Sequence, residues 1–411
     1  MALVNIIVAY LVRYSYSIFF VAILEEFQWS RATTMGALSL SLVVYSVGAP
    51  FIGGLVDRYG IKKVVPLGAI ALSLSLLFCS AVNSVWQMYL AFGLTAVGTL
   101  SLGYVPHLTI IANWFIRRRG LAMGIATAGL SLTMLLVPFL QILILSFGWR
   151  NTYIILAAST IVIPIPLIFL FLREKPEDMG LKADDAKETT ETRTDNKGKK
   201  REMTIVDEAW ASNDWTLGGA ARTIRLWSLV MMAFTYGIWS YSIMMHQVAF
   251  LIDAGYGKEF GASIVGIFGL TATLGAVAAF VSDKWGREKT YTLSALGAIV
   301  GLIFFQLSRG AYGPVLPYIY VVVFGFSFGV SSPLLAATAA DLFQGKHLGV
   351  INGLVMGSFV IGGAVGAWLT GWIYDFYGSY YPTFPLLYFL VLLSAFFTWM
   401  AAPRKVRRTA P

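Results

Sequence analysis

Runs of apolar residues, each roughly the 20 positions that a helix needs to cross a bilayer, alternate with short polar turns along nearly the whole chain. They fall at 3–24, 33–56, 64–82, 87–111, 121–145, 151–172, 226–252, 262–281, 290–307, 314–340, 348–372 and 383–401. A bilayer leaves no water for unpaired backbone groups, so runs of this length predict helices. A membrane barrel would instead show short segments of alternating polarity. The pattern predicts an all-α membrane protein with twelve spans. No small-residue cleavage site follows the first run, so it is expected to be a retained span and not a removed signal peptide.

Composition narrows the class. Of 411 residues, 57% are hydrophobic and 12% charged, against about 45–50% and about 25% in soluble domains. That excludes a soluble enzyme, a disordered chain and a nucleic-acid binder. The net charge of +9 resolves into topology once the charges are located. One set of loops holds 25 Lys and Arg residues; the opposite set holds only Arg31, Arg150, Lys258 and Arg309. Positive charge collects on the cytoplasmic side, so both termini are expected there. A single cysteine, Cys79, and three scattered His give neither an intrachain disulfide nor a metal spacing. No nucleophile–base pair stands in a span, so neither an enzyme nor a cofactor is expected.

Residues 173–225 form the one long polar stretch, rich in both signs of charge, and read as a flexible cytoplasmic linker. Its end, Trp215 to Arg225, is expected to lie along the membrane as a short amphipathic segment. The linker divides the chain into a six-helix bundle at 1–172 and a second at 226–411 that ends in a basic tail. The halves repeat. Gly53-Gly54-Leu55-Val56-Asp57-Arg58-Tyr59-Gly60 recurs as Val281-Ser282-Asp283-Lys284-Trp285-Gly286-Arg287. Trp114-Phe115 with Gly120 and Gly124 is answered by Leu342-Phe343 with Gly349 and Gly353, and Phe147-Gly148 by Tyr377-Gly378. A near-constant offset of 226 to 230 residues implies two bundles related by a pseudo-twofold axis along the membrane normal.

The Gly/Asp/Arg loop after the second span resembles the signature of the major facilitator superfamily. The run Asn113-Trp114-Phe115-Ile116-Arg117-Arg118-Arg119-Gly120-Leu121-Ala122-Met123-Gly124 is similar to the fifth-span motif of monocarboxylate transporters. Arg13-Tyr14-Ser15-Tyr16-Ser17-Ile18-Phe19-Phe20 looks like their first-span motif, with the basic residue displaced by one position. Their charged pair in the eighth span has no counterpart, because 262–281 carries no charge. The nearest resemblance is to bacterial monocarboxylate-like carriers and oxalate–formate exchangers. It implies a multi-pass protein of the bacterial inner membrane that works as a monomer by alternating access. It also implies a cytoplasmic gate built from Asp57, Arg58, Gly60, Arg117, Asp283, Arg287 and Asp341.

Arg13 is the sharpest chemical feature. It falls near the middle of the first span, where an Arg costs about 2.5–3.5 kcal/mol on insertion scales, and no acidic residue shares its depth. Tyr10, Tyr14 and Ser17 surround it at helical spacing. A buried guanidinium suits a carboxylate through a bidentate pair, so the missing partner is expected to be the substrate. The competing reading has Arg13 snorkelling to the interface.

Tyr104 and His107 in the fourth span, Trp239 and His246 in the seventh, and Phe359 in the eleventh complete the expected substrate-binding set. A lone intramembrane His is as often a packing residue as a proton carrier. Of the two, His246 is favoured for the proton, with Asp253 as its alternative. The glycines of the eleventh span are read as packing positions, and Pro164 and Pro166 as a bend in the sixth. Together these residues predict a secondary transporter of a small organic anion, a lactate- or pyruvate-like monocarboxylate, coupled to H+. Alternatives are anion exchange of the oxalate/formate type and export of lipophilic drugs.

Overall fold

The computed structural model describes residues 1–103, 106–107, 110–111, 114, 119–172, 203–205, 207–211, 213–309, 313–343 and 347–409. Among them, eleven helices are long and apolar enough to cross a membrane. One of these, Ala128–Phe171, has 44 residues. At 1.5 Å per residue it would run about 66 Å, twice the hydrocarbon thickness of about 30 Å. It breaks at Gly148, whose φ of 81° and ψ of 159° lie outside the helical region. The stretch is therefore two crossings, and the count becomes the twelve that the hydrophobic runs predict.

Span 1 is Ala2–Tyr14 followed by Tyr16–Phe27, and span 2 is Arg31–Tyr59. Span 3 is Ile61–Ser80, and span 4 begins with Val85–Leu102. Span 5 runs from Arg119 to the Gly148 break, and span 6 from there through Pro164–Phe171. Span 7 is Ile224–Asp253, span 8 Lys258–Ala278, span 9 Arg287–Gln306 and span 10 Val315–Leu342. Span 11 is Leu348–Tyr377 and span 12 Thr383–Ala401.

Local chemistry sets several ends. The Ser30 hydroxyl accepts from the Thr33 backbone N–H to start span 2, and the Thr223 hydroxyl accepts from Leu226 to start span 7. Gly60 and Gly286 turn the chain after the two repeated loop motifs with φ of 78° and 91°, angles that a side chain would oppose. The repeat seen in the sequence is thus a repeat of backbone conformation.

Packing in the second bundle depends on close approach of spans 7 and 11. A Cβ on Gly237 would lie 2.1 Å from the Phe359 carbonyl oxygen, and one on Gly362 would lie 2.1 Å from that of Phe234. Small residues here let two backbones touch, the usual solution where lipid gives no hydrophobic drive for helix pairing. In the first bundle, Thr99 donates to the Ala9 carbonyl (3.3 Å) and joins spans 4 and 1.

The two bundles meet along spans 2 and 11, which run antiparallel. Gly371 abuts the backbone of Arg31 and Ala32, the Ser39 hydroxyl donates to the Ala364 carbonyl (2.7 Å), and Gly357 faces Ser46. Continued, that register would bring Gly53 and Gly54 to the level of Gly349 and Val350. Yet a Cβ built on Gly53, Gly54, Gly349 or Gly353 meets no atom of the described residues within 4 Å. The spans are clamped at the end that carries Arg31 and part toward the end that carries the basic loops.

The described part of the polar stretch before span 7 is folded. Met203–Ile205 pairs as an antiparallel strand with Arg407–Thr409. Trp210 donates from its indole N–H to the Leu342 carbonyl (2.7 Å) and lies under the Arg225 guanidinium (3.9 Å). Trp215 is buried against Trp210 and Phe343, and Thr216 caps a short helix, Leu217–Ala221. Composition predicted a flexible linker over 173–225, with Trp215 to Arg225 as a short amphipathic segment along the membrane. Two tryptophans, Trp210 and Trp215, give its second half enough apolar surface to dock, whereas 173–202 lies outside the described residues.

Candidate functional site

Span 1 crosses as one helix through Ser15, whose backbone N–H bonds the Leu11 carbonyl (2.9 Å) and whose φ of −83° stays in the right-handed region. Two residues before Ser15 stands Arg13. Its guanidinium donates through Nη2 to the hydroxyl of Tyr241 in span 7, so it bridges the two bundles. It lies 4.9 Å from the Tyr45 ring centroid, 5.6 Å from that of Tyr241 and 6.0 Å from that of Tyr10. Tyr10 and Tyr45 share a hydrogen bond of 2.5 Å between their hydroxyls, and Tyr14 stacks on Tyr10 at 6.1 Å. Arg13 has no ion pair among the described residues, and its Nε is enclosed with no hydrogen-bond partner there. A permanent cation thus sits at the bundle interface among four phenol rings, with donors to spare for an anion.

The aromatic lining continues into the second bundle. Phe359 stands 5.8 Å from Tyr241 and 5.1 Å from Tyr236, and Tyr236 stands 4.9 Å from Trp239. Of the residues the sequence pointed to, Arg13, Tyr10, Tyr14 and Phe359 come together here. Trp239 is buried behind Tyr236, in contact with Phe324. The Ser17 hydroxyl is buried and unpartnered among the described residues. Tyr104 and Arg117 lie outside the described residues, as does the Asp57 side chain. Tyr45 and Tyr241 were missed. The available signal was a tyrosine midway along an apolar span, where its hydroxyl needs a partner.

Neither histidine reaches Arg13. His107 is fully buried, 3.0 Å from the Asn5 side chain through Nε2 and 2.7 Å from the Gly103 carbonyl through Nδ1. It fastens span 4 to span 1 instead of lining an open cavity. His246 lies nearer the clamped end, between the Tyr380 hydroxyl (2.9 Å) and the Ala367 carbonyl (2.8 Å).

At the clamped end, Arg31 makes a forked pair with Asp253, with contacts of 2.9 and 3.0 Å. Its Nη1 also donates to Tyr380 (2.6 Å) and its guanidinium lies 3.5 Å over the Tyr374 ring. Asp375 accepts from the backbone N–H of Arg31 (2.8 Å) and Ala32 (2.7 Å), a carboxylate at a helix N-terminus. Lys258 pairs with Glu25 at 2.6 Å. All of these contacts join one bundle to the other. Glu26 pairs with Arg150 (2.9 Å) and accepts from the Trp149 indole (2.6 Å) within the first bundle.

At the basic end, Arg287 is held between Asp341 (2.8 Å) and Asp283 (2.6 Å), tying the loop before span 9 to the end of span 10. The expected trio of Asp283, Arg287 and Asp341 is therefore one cluster. Arg58 is exposed, with its guanidinium 5.3 Å over the ring of Tyr59.

Comparison with known proteins agrees with this architecture. The family model described as Major Facilitator Superfamily matches residues 2–354 and 276–411. The chain is 26% identical over 405 residues to monocarboxylate transporter 11 of Homo sapiens, covering 94% of this chain and 78% of that one. It is 24% identical over 374 residues to monocarboxylate transporter 13 of Rattus norvegicus, covering 90% and 80%. A crystal structure of a bacterial homolog to the human lysosomal transporter Spinster, inward-facing and unoccupied, superposes with a TM-score of 0.73 at 17% identity, covering 98% of this chain and 97% of that one. The Gly60 and Gly286 turns, the twelve crossings and the family match over both halves lead to one conclusion: this chain is an integral, multi-pass membrane transporter, not an enzyme, and belongs to the major facilitator superfamily.

Proposed function

We propose that this protein is a secondary carrier of a small monocarboxylate, lactate- or pyruvate-like, moved by alternating access together with H+. The single observation that carries the reading is Arg13. It is a permanent charge at the interface of the bundles, with phenol rings and no carboxylate among its described partners. A carboxylate would take the guanidinium fork in a bidentate pair, and the aromatic lining would hold a short apolar body. The names of the relatives, monocarboxylate transporters, point to the same substrate class.

The 25 to 4 split of basic residues supports placing the basic end in the cytoplasm and the Arg31 end outside. The membrane would be the bacterial inner membrane, with the carrier working as a monomer. Spans 2 and 11, clamped outside and parted inside, then correspond to an inward-facing carrier. The two bundles would be 1–172 and 226–411, with 173–225 as the connector.

The test is binding of lactate and pyruvate to purified protein by calorimetry. Arg13→Lys keeps the charge and loses the planar fork, so binding should weaken in part. Arg13→Gln should abolish it, since truncating one partner of a buried charge pair costs on the order of 2–5 kcal/mol. Undiminished binding to Arg13→Gln would end the anion reading.

A further inference from the structure

His246 is built into the clamped end by hydrogen bonds whose directions are fixed. The Ala367 carbonyl can only accept, so Nε2 carries a hydrogen. In a neutral ring Nδ1 then accepts, and the Tyr380 O–H must donate to it. The Tyr380 oxygen accepts in turn from Arg31 Nη1, and Arg31 is forked onto Asp253. From the Ala367 carbonyl of span 11 to Asp253 of span 7, every donor meets an acceptor. The clamp between the bundles is thus continuous with the imidazole.

Among the described residues, the other faces of His246 hold no charge that could replace this chain. Phe20 of span 1 lies 5.4 Å away, edge-on. Span 11 offers Ala367 and Thr370, span 12 offers Thr383, and span 7 itself offers Gln247. The charged and titratable groups on this side are Tyr380, Tyr374, Arg31, Asp253 and, on the Arg31 backbone, Asp375. A cavity of about 20 Å³ borders the ring, lined in part by Thr370 and Thr383. Both hydroxyls are buried without a partner among the described residues. The space admits one water, and those hydroxyls would be its partners.

Resting on the symport reading above, we propose that His246 is the proton site of this carrier and that its protonation releases the Arg31 clamp. The proton, delivered by hydronium, adds to the Nδ1 lone pair, and the Nε2–H stays on Ala367. Nδ1–H then has to donate, so the Tyr380 O–H must turn away. The phenol oxygen would face an imidazolium and a guanidinium together. In an enclosed site that repulsion is poorly screened. The proton therefore binds better once Arg31 has left Tyr380. By linkage, the bound proton favours the unclamped state by the same factor. Loss of the proton restores the O–H to Nδ1 bond and the clamp with it.

The experiment uses the full chain in lipid nanodiscs, with Cys79→Ser and spin labels at Ala81→Cys and Glu259→Cys. Both positions are exposed near the clamped end, one on each bundle. The label-to-label distance is measured at about pH 8 and about pH 5.5, either side of an ordinary imidazole's titration. Acid should raise the long-distance population about tenfold, from a minor state of about 1%. His246→Gln and Tyr380→Phe should each flatten that response; Tyr380→Phe keeps the ring and its packing, which guards against misfolding as the cause. An acid response of parental size in both variants would overturn the proposal, as would no acid response in the parent. The readout needs no substrate, so it fails or holds separately from the binding test on Arg13.

Discussion

Glu25 and Asp253 are the same residue of the repeat, 228 positions apart, and each is ion-paired with the basic residue that opens the next span of the other half. Asp253, at the end of span 7, binds Arg31 at the start of span 2 (2.9 Å). Glu25, near the end of span 1, binds Lys258 at the start of span 8 (2.6 Å). The pseudo-twofold axis thus turns one salt bridge into two reciprocal ones. The pair forms a closed, isologous contact between the bundles, as in a symmetric dimer.

The two bridges should be unequal. Arg31 is forked, stacked on Tyr374 and only 15% exposed, whereas Lys258 and Glu25 are 35% and 52% exposed. Exposed pairs contribute about 0.2–1 kcal/mol, and bidentate, shielded ones more. Asp253→Asn should therefore shift the Ala81–Glu259 label distance more than Glu25→Gln does. The reversed pair, Arg31→Asp with Asp253→Arg, should recover part of the loss. Equal shifts from the two single variants would place the clamp elsewhere, on Asp375 and the helix it caps.

Tyr241→Phe tests whether the Arg13 bond across the bundles competes with the substrate. Removing the hydroxyl leaves a guanidinium donor short of an acceptor when no anion is bound. The variant should lose about 1.5–3 kcal/mol of stability, the net worth of a hydrogen bond to a charged group. Monocarboxylate binding should hold or tighten by up to about tenfold, since less must be displaced. Thermal shift and calorimetry on the same preparation read both; a binding loss as large as that of Arg13→Gln would make the hydroxyl a substrate ligand.

Two glycines of one helix should respond oppositely. Gly362→Ala forces a Cβ to 2.1 Å from the Phe234 carbonyl, whereas Gly353→Ala meets no atom of the described residues within 4 Å. Overpacking of this kind costs about 1–3 kcal/mol, so Gly362→Ala should lower the melting temperature and Gly353→Ala should not. Melting in detergent by intrinsic fluorescence checks both. A destabilised Gly353→Ala would mean that the bundles meet at the basic end as well.

The segment before span 7 should divide into a part that matters and a part that does not. The composition of 182–201 offers almost no apolar surface to bury, and shortening a long loop changes its closure entropy little. Deleting part of it should leave uptake intact. Trp210→Ala removes the bond to Leu342 and the stack under Arg225, and should expose Trp215. Protease sensitivity of that segment, measured in both variants, should rise only for Trp210→Ala.

The sequence by itself determined the twelve crossings, the repeat and the polarity of the loops. Each is a one-dimensional property: length of apolar run, offset between motifs, count of Lys and Arg. Arg13 was legible for the same reason, because a charge inside an apolar run is conspicuous without knowing its neighbours. What only the tertiary structure decided is which side chains answer one another across the bundles. Tyr241 joins Arg13 across 228 residues of chain, Tyr380 joins His246 across 134, and Asp375 caps a helix that begins 344 residues earlier. His107 and His246 look alike in sequence, each a lone imidazole in an apolar span, yet one fastens two helices within a bundle and the other touches the clamp between bundles. The polarity of a span marks which of its faces needs a partner, but which neighbour supplies one is fixed only when the spans pack together.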